Sequence, residues 1–124
     1  MEYASIDLNA VRLLTEEEVA FPVCKSKLAE ALEKSMKADL ISRGWALIKI
    51  HDLQKLNDFL ADYDETTADK LQSTVDDLAE SYIADRYPGF DLEKPNWADV
   101  TRLLSKVSQY AEILINTFAT NARR

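Results

Sequence analysis

Pro22-Val23-Cys24-Lys25-Ser26-Lys27-Leu28-Ala29-Glu30-Ala31-Leu32-Glu33-Lys34-Ser35-Met36-Lys37-Ala38-Asp39-Leu40-Ile41-Ser42 decides the fold, because it reads as one long amphipathic helix. Pro22 suits its first turn, where a missing amide hydrogen costs nothing. Cys24, Leu28, Ala31, Leu32, Ser35, Met36 and Leu40 recur at three- and four-residue spacing and form the stripe expected to be buried. Gly44, just past the last periodic residue, is the expected stop.

The same period appears on both sides of this helix. Before it, a helix is predicted over 5–19, with Leu8, Val11, Leu14 and Thr15 on one side. After it, Trp45 to Ile50 is a short apolar connector. His51 or Asp52 then opens a helix carrying Leu53, Leu56, Phe59, Leu60 and Tyr63. The acidic stretch Asp62-Tyr63-Asp64-Glu65 reads as the loop that ends it. Thr66 or Thr67 is the expected cap of a fourth helix, with Ala68, Leu71, Val75, Leu78, Ala79, Tyr82 and Ile83 as its stripe. Pro88 and Gly89 break the chain, and 90–95 reads as a loop. Asn96 caps the last helix, whose stripe is Trp97, Val100, Leu104, Val107, Ala111, Leu114 and Phe118.

Amphipathic helices with short connections pack as a bundle. The expected fold is therefore all-α, an up-and-down bundle of four to five helices in a single domain spanning 1–124. Its core would hold Leu28, Leu32, Leu56, Leu60, Leu71, Leu78, Leu104 and Leu114. Trp45, Ile48, Tyr110 and Phe118 are apolar beyond what one core needs, so they are expected to cover a homodimer surface.

Composition agrees and narrows the function. With 124 residues, 47% of them apolar and only 2 Gly and 3 Pro, the chain can bury one real core and is rarely interrupted. No apolar run approaches the roughly 18 residues of a membrane span. The start of the chain lacks the cationic and apolar regions of a signal peptide. One cysteine, Cys24, can form no internal disulfide, so a cytoplasmic location is expected.

The net charge of −7 argues against generic DNA binding, but the charge is uneven. Residues 24–55 and 100–124 carry excess cations, while 56–99 is strongly acidic. A basic side built from the second and last helices could attract a nucleotide or RNA. The plainer reading is a mixed surface that keeps the protein in solution.

Three groups of residues carry candidate chemistry. The chain's single histidine, His51, precedes Asp52. Imidazole titrates near neutrality and can donate or accept, although Asp52 also suits a helix cap and His51 a turn. Arg86-Tyr87-Pro88 ends the fourth helix, with Tyr82 one turn earlier. Guanidinium grips phosphate in a bidentate fork and tyrosine rings stack on bases. A cation at a helix C-terminus is also favourable by itself. Finally, Lys27, Glu30, Lys34 and Lys37 share a helical stripe, which on spacing alone reads as a solvated face laced with ion pairs.

Other chemistries fit less well. Cys24 falls on an apolar face and reads as a small hydrophobe. One His and one Cys cannot assemble a zinc site without several carboxylates. Asp76, Asp77 and Glu80 read as an acidic helix surface and not as a metal site. No glycine-rich phosphate loop exists, and no cofactor is expected.

Taken in order, Ala29-Glu30-Ala31-Leu32-Glu33-Lys34-Ser35-Met36-Lys37-Ala38, then His51-Asp52-Leu53, then Tyr82-Ile83-Ala84-Asp85-Arg86-Tyr87-Pro88 resemble the HEPN family, the nucleotide-binding helical domain of prokaryotes and higher eukaryotes. The likeness covers about residues 5–118. It implies a dimeric helical bundle, often encoded beside a minimal nucleotidyltransferase in toxin–antitoxin or stress systems. In such a site Lys37 and Arg86 would hold phosphate, His51 would provide a hydrogen bond or a pH-sensitive charge with Asp52 beside it, and Tyr82 or Tyr87 would stack on a base.

Nuclease members of the family carry an Arg followed after four to six residues by His. Here Arg43 precedes His51 by seven intervening residues, with Gly44 between, and no histidine follows Arg86. The expected function is therefore binding of nucleotide or RNA, alongside a minimal nucleotidyltransferase partner. A metal-independent ribonuclease toxin, with His51 and Arg86 juxtaposed, is the enzymatic alternative. A non-catalytic protein-interaction module is the third.

Overall fold

The computed structural model describes residues 2–46, 49–86 and 96–122, and within these no side-chain detail for 2, 3, 80–86, 121 and 122. The described residues form five α-helices and no strand: α1 (Glu2–Glu16), α2 (Phe21–Ser42), α3 (Leu53–Tyr63), α4 (Glu65–Arg86) and α5 (Trp97–Ala122).

The helix α2 is the hub, packing against all four others. Cys24, Leu28, Ala29, Ala31, Leu32, Ser35, Met36, Asp39 and Leu40 on it are buried. Its C-terminus closes as the sequence requires. The Trp45 amide donates to the Leu40 carbonyl at 3.0 Å, and Gly44 sits at φ 98°, a conformation that favours glycine.

Side-chain pairs fix the directions. Only residues 17–20 separate α1 from α2 and the two pack closely, with Asp7 held by Lys34 and Lys27, so they are antiparallel. Lys25 meets Asp99 and Asp39 meets Tyr110, so α5 runs parallel to α2. Gln54 bonds Gln72 and Asn57 bonds the Ala68 carbonyl, so α3 and α4 are antiparallel. Thus α1, α2, α4 and α5 alternate in direction as an up-and-down bundle. The connector from α2 returns along that helix, placing His51 beside Glu33 and Trp45 beside Phe59. The short α3 therefore lies alongside as a fifth helix, running in the direction of α2.

Several local expectations are corrected. The first helix starts at Glu2 and ends at Glu16, with Glu18 and Ala20 in left-handed backbone between it and α2. The acidic loop collapses to one residue. Asp64 ends α3 by donating its amide to the Leu60 carbonyl at 2.8 Å, and it opens α4 by accepting from the Thr67 amide at 3.1 Å and hydroxyl at 2.8 Å. Aspartate is a stronger cap than threonine, so Thr67 becomes the donor. Asp52 caps α3 by accepting from the Lys55 amide at 3.2 Å, and Asn96 caps α5 through the Asp99 amide at 3.0 Å.

The core holds Leu28, Leu32, Leu56, Leu60, Leu71, Leu78 and Leu114 as expected, but on α5 Leu103 is buried and Leu104 only half-buried. Tyr63 is exposed. The proposed dimer surface dissolves in part. Tyr110 is buried, and Trp45 and Phe118 pack against the core from its edge, while Ile48 lies outside the described residues. The large apolar side chains that do face outward include Ile6 and Leu13 on α1 and Ile113 and Ile115 on α5. No helix among the described residues is long and apolar enough to cross a membrane.

Candidate functional site

Two polar constellations stand out, on different faces of α2. The first lies where the returning connector meets the middle of that helix. Glu33, with its side chain 12% exposed, is 3.1 Å from His51 Nδ1 and 3.9 Å from Lys37 Nζ. His51 itself is well exposed. One carboxylate thus draws together two residues singled out in the sequence. Asp52 follows immediately, with one oxygen engaged in capping α3.

The remaining sequence candidates lie elsewhere. Arg86 and Tyr82 are in the last turns of α4, but their side chains are outside the described residues, as is all of Tyr87. Gln54, near the start of α3, bonds Gln72, and Arg86 lies on the order of 20 Å of helical rise beyond Gln72. The Lys27–Glu30–Lys34 stripe is laced with ion pairs, with Lys27 held by both Glu30 and the buried Asp7. The basic side of α2 is therefore largely neutralised within the fold.

The second constellation was not anticipated. Both α4 and α5 pack on α2 but scarcely touch each other, and a groove of about 650 Å³ opens between them. Its floor carries a polar chain that runs from the buried Asp39 and Tyr110 out to the exposed Arg43 and half-buried Asp64. The Tyr110 hydroxyl donates to Asp39 at 2.7 Å, Arg43 Nε donates to the other Asp39 oxygen at 2.8 Å, and Arg43 also reaches Asp64 at 3.4 Å. Burial, reinforced by the Asp39 charge, pushes the Tyr110 phenol far above its usual range. The Thr67 bonds hold the Asp64 carboxyl below its ordinary value, with Arg43 adding to the effect. Asp39 falls on the buried stripe of α2 three residues after Met36, and Arg43 follows one turn later. An acidic residue on an apolar stripe with a cation at i+4 is the sequence signal that could have found this network.

The rest of the polar surface reads as structural. Lys25, Asp99, Arg102 and Asp77 form a chain of ion pairs from α2 across α5 to α4, at 3.2, 2.6 and 2.9 Å. Cys24 is buried, which pushes its thiol up and leaves it a poor nucleophile. Among the described residues, no group of three or more His, Cys, Asp or Glu side chains is placed to hold a metal ion.

The model of one protein family, the HEPN domain, matches residues 1–119. Comparison with curated proteins and with solved structures returned no match.

Proposed function

The chain belongs to the HEPN domain family, a family of helical domains related to nucleotides and RNA, and from that premise we propose that it binds a nucleotide or a short RNA segment. The observation that carries this reading is the sharing of Glu33 by Lys37 and His51. An arriving phosphate needs donors held close together. Here a mostly buried carboxylate holds an ammonium and an exposed imidazole at one point on the surface. Charge-assisted contacts to phosphate are the strong ones, and Lys37 and His51 would make them as Glu33 yields. Asp52 fixes the start of α3 beside them, and Arg86, Tyr82 and Tyr87 remain candidates for contacts to a longer ligand.

The same reading places the domain in the cytoplasm as a homodimer, acting with a minimal nucleotidyltransferase in a toxin–antitoxin or stress system. Titration of the wild type and of the Lys37→Ala, His51→Ala and Arg86→Ala variants with ATP, GTP and a short RNA tests it. The expected result is binding weakened roughly tenfold or more in each variant, as loss of a charged hydrogen bond implies. Equal affinity in all four proteins would refute the site. RNA cleavage lost on His51→Ala would favour the ribonuclease alternative.

A further inference from the structure

The turn between α1 and α2 is made of residues that resist its shape. Glu18 at φ 51° and Ala20 at φ 55° both hold left-handed backbone, and neither is glycine. That conformation crowds the Cβ of an L residue against the following carbonyl. The turn closes α1 with two bonds, from the Glu18 amide to the Thr15 carbonyl and from the Val19 amide to the Leu14 carbonyl, each at 3.1 Å. Such a closure ordinarily has glycine where Glu18 stands. Ala20 then occupies the N-cap of α2 and supplies no side-chain cap. The closed turn is strained at both ends.

What the turn holds in place is separable. Among the described residues α1 packs on α2 and α5 alone. It docks through buried Ala4, Leu8 and Val11, and through Asp7 with Lys34 and Lys27. A second copy of the chain offers the same cradle, so these contacts would be regained between chains. Four extended residues reach about 14 Å, beyond the roughly 8–10 Å between packed helix axes, so residues 17–20 can carry α1 to a neighbour. Pro22 keeps the opened turn from becoming helix, since its ring would then clash with the Glu18 carbonyl. Val19 and Val23 stand exposed beside the turn, where two crossing turns would cover them.

We propose that the chain dimerises by exchanging α1, each copy's α1 docking on α2 and α5 of its partner, with residues 17–20 as the hinge. Strain in a short hinge favours such an exchange, because opening relieves it while the docked contacts stay the same. The inference is independent of nucleotide binding and gives the homodimer a specific construction.

Isotopically light and heavy chains, unfolded together and refolded at about millimolar concentration, test the proposal. High salt in the refolding buffer screens Glu16, Glu17 and Glu18 of two meeting hinges from one another. Sedimentation is expected to show a dimer. Carbodiimide, which joins an amine to a carboxylate in contact with it, should link Asp7 to Lys34 or Lys27 between a light and a heavy chain. Lys25 and Asp99, 3.2 Å apart on helices that stay in one chain, provide the within-chain control. Glu18→Gly with Ala20→Gly relaxes the closed turn and should raise the dimer dissociation constant at least tenfold. Ala20→Val, with a branched side chain at positive φ, should lower it by a similar factor. The proposal is overturned if the refolded chain is monomeric, if Asp7 links only within single chains of a dimer, or if the glycine pair leaves the dissociation constant unchanged. The second of these results would leave a side-by-side homodimer standing and remove the exchange.

Discussion

Tyr110 and Asp39, 71 residues apart in sequence, meet inside the bundle through a 2.7 Å hydrogen bond. It joins the middle of α5 to the last turns of α2, the two helices that flank the groove together with α4. Asp39 is also the partner of Arg43, so one buried carboxylate organises both a tyrosine and an arginine.

Replacing Tyr110 by Phe removes the hydroxyl and leaves an Asp39 oxygen short of a donor. A hydrogen bond to a charged group contributes about 1.5–3 kcal/mol, and a loss in that range is expected by urea denaturation. A change below about half a kcal/mol would mean that the bond carries no stability.

The same tyrosine predicts a stability limit at high pH. Its phenol is raised in the folded chain by burial and by Asp39, so the folded state holds its proton where the unfolded chain releases it. The stabilisation is complete below the unfolded tyrosine pKa of about 10 and declines as pH rises above it. Melting curves from pH 8 to 11 should show the wild type losing stability more steeply than Tyr110→Phe. Parallel curves would contradict the assignment.

Asp39→Ala should be worse than Tyr110→Phe, because it strips a partner from Arg43 as well. Arg43 is exposed and regains water, so the extra loss beyond that of Tyr110→Phe is expected to be about 1 kcal/mol. The double variant should be less destabilised than the two losses added, since both remove the same bond. Strict additivity would show that the two residues act independently.

The helical phase of α5 can be read with two neighbouring leucines. Leu103 is fully buried and Leu104 half-buried, so Leu103→Ala is expected to cost about 2–5 kcal/mol and Leu104→Ala distinctly less. The reverse order, in thermal or chemical denaturation, would rotate the helix from its present setting.

Most of the architecture was legible because it follows from periodicity. The α2 stripe from Cys24 to Leu40, the Gly44 stop and the Asp52 and Asn96 caps are local signals that the fold obeys. The stripe read from sequence takes in Leu104 and omits Leu103; the two are adjacent leucines, and only packing against the other helices selects between them. Tyr110 read as surface because its buried hydroxyl depends on Asp39, a partner 71 positions away that no local window contains. On the functional side, Lys37 and His51 were singled out separately, and Glu33 brings them together. The groove was invisible for a related reason: it is a gap between α4 and α5, and a gap has no residues of its own to read.

The joint between α3 and α4 is a single residue, Asp64, which closes one helix and opens the next. There is no slack in it to absorb a change of length. Each inserted residue in the body of a helix turns everything beyond it by about 100°, and with so short a joint the same applies across Asp64. One added residue there would swing Ala68, Leu71, Val75 and Leu78 away from the core in a single step. It would also carry Lys70 and Thr74 away from the groove. Asp64 therefore acts as the index mark of the bundle, setting the rotation at which α4 meets its neighbours.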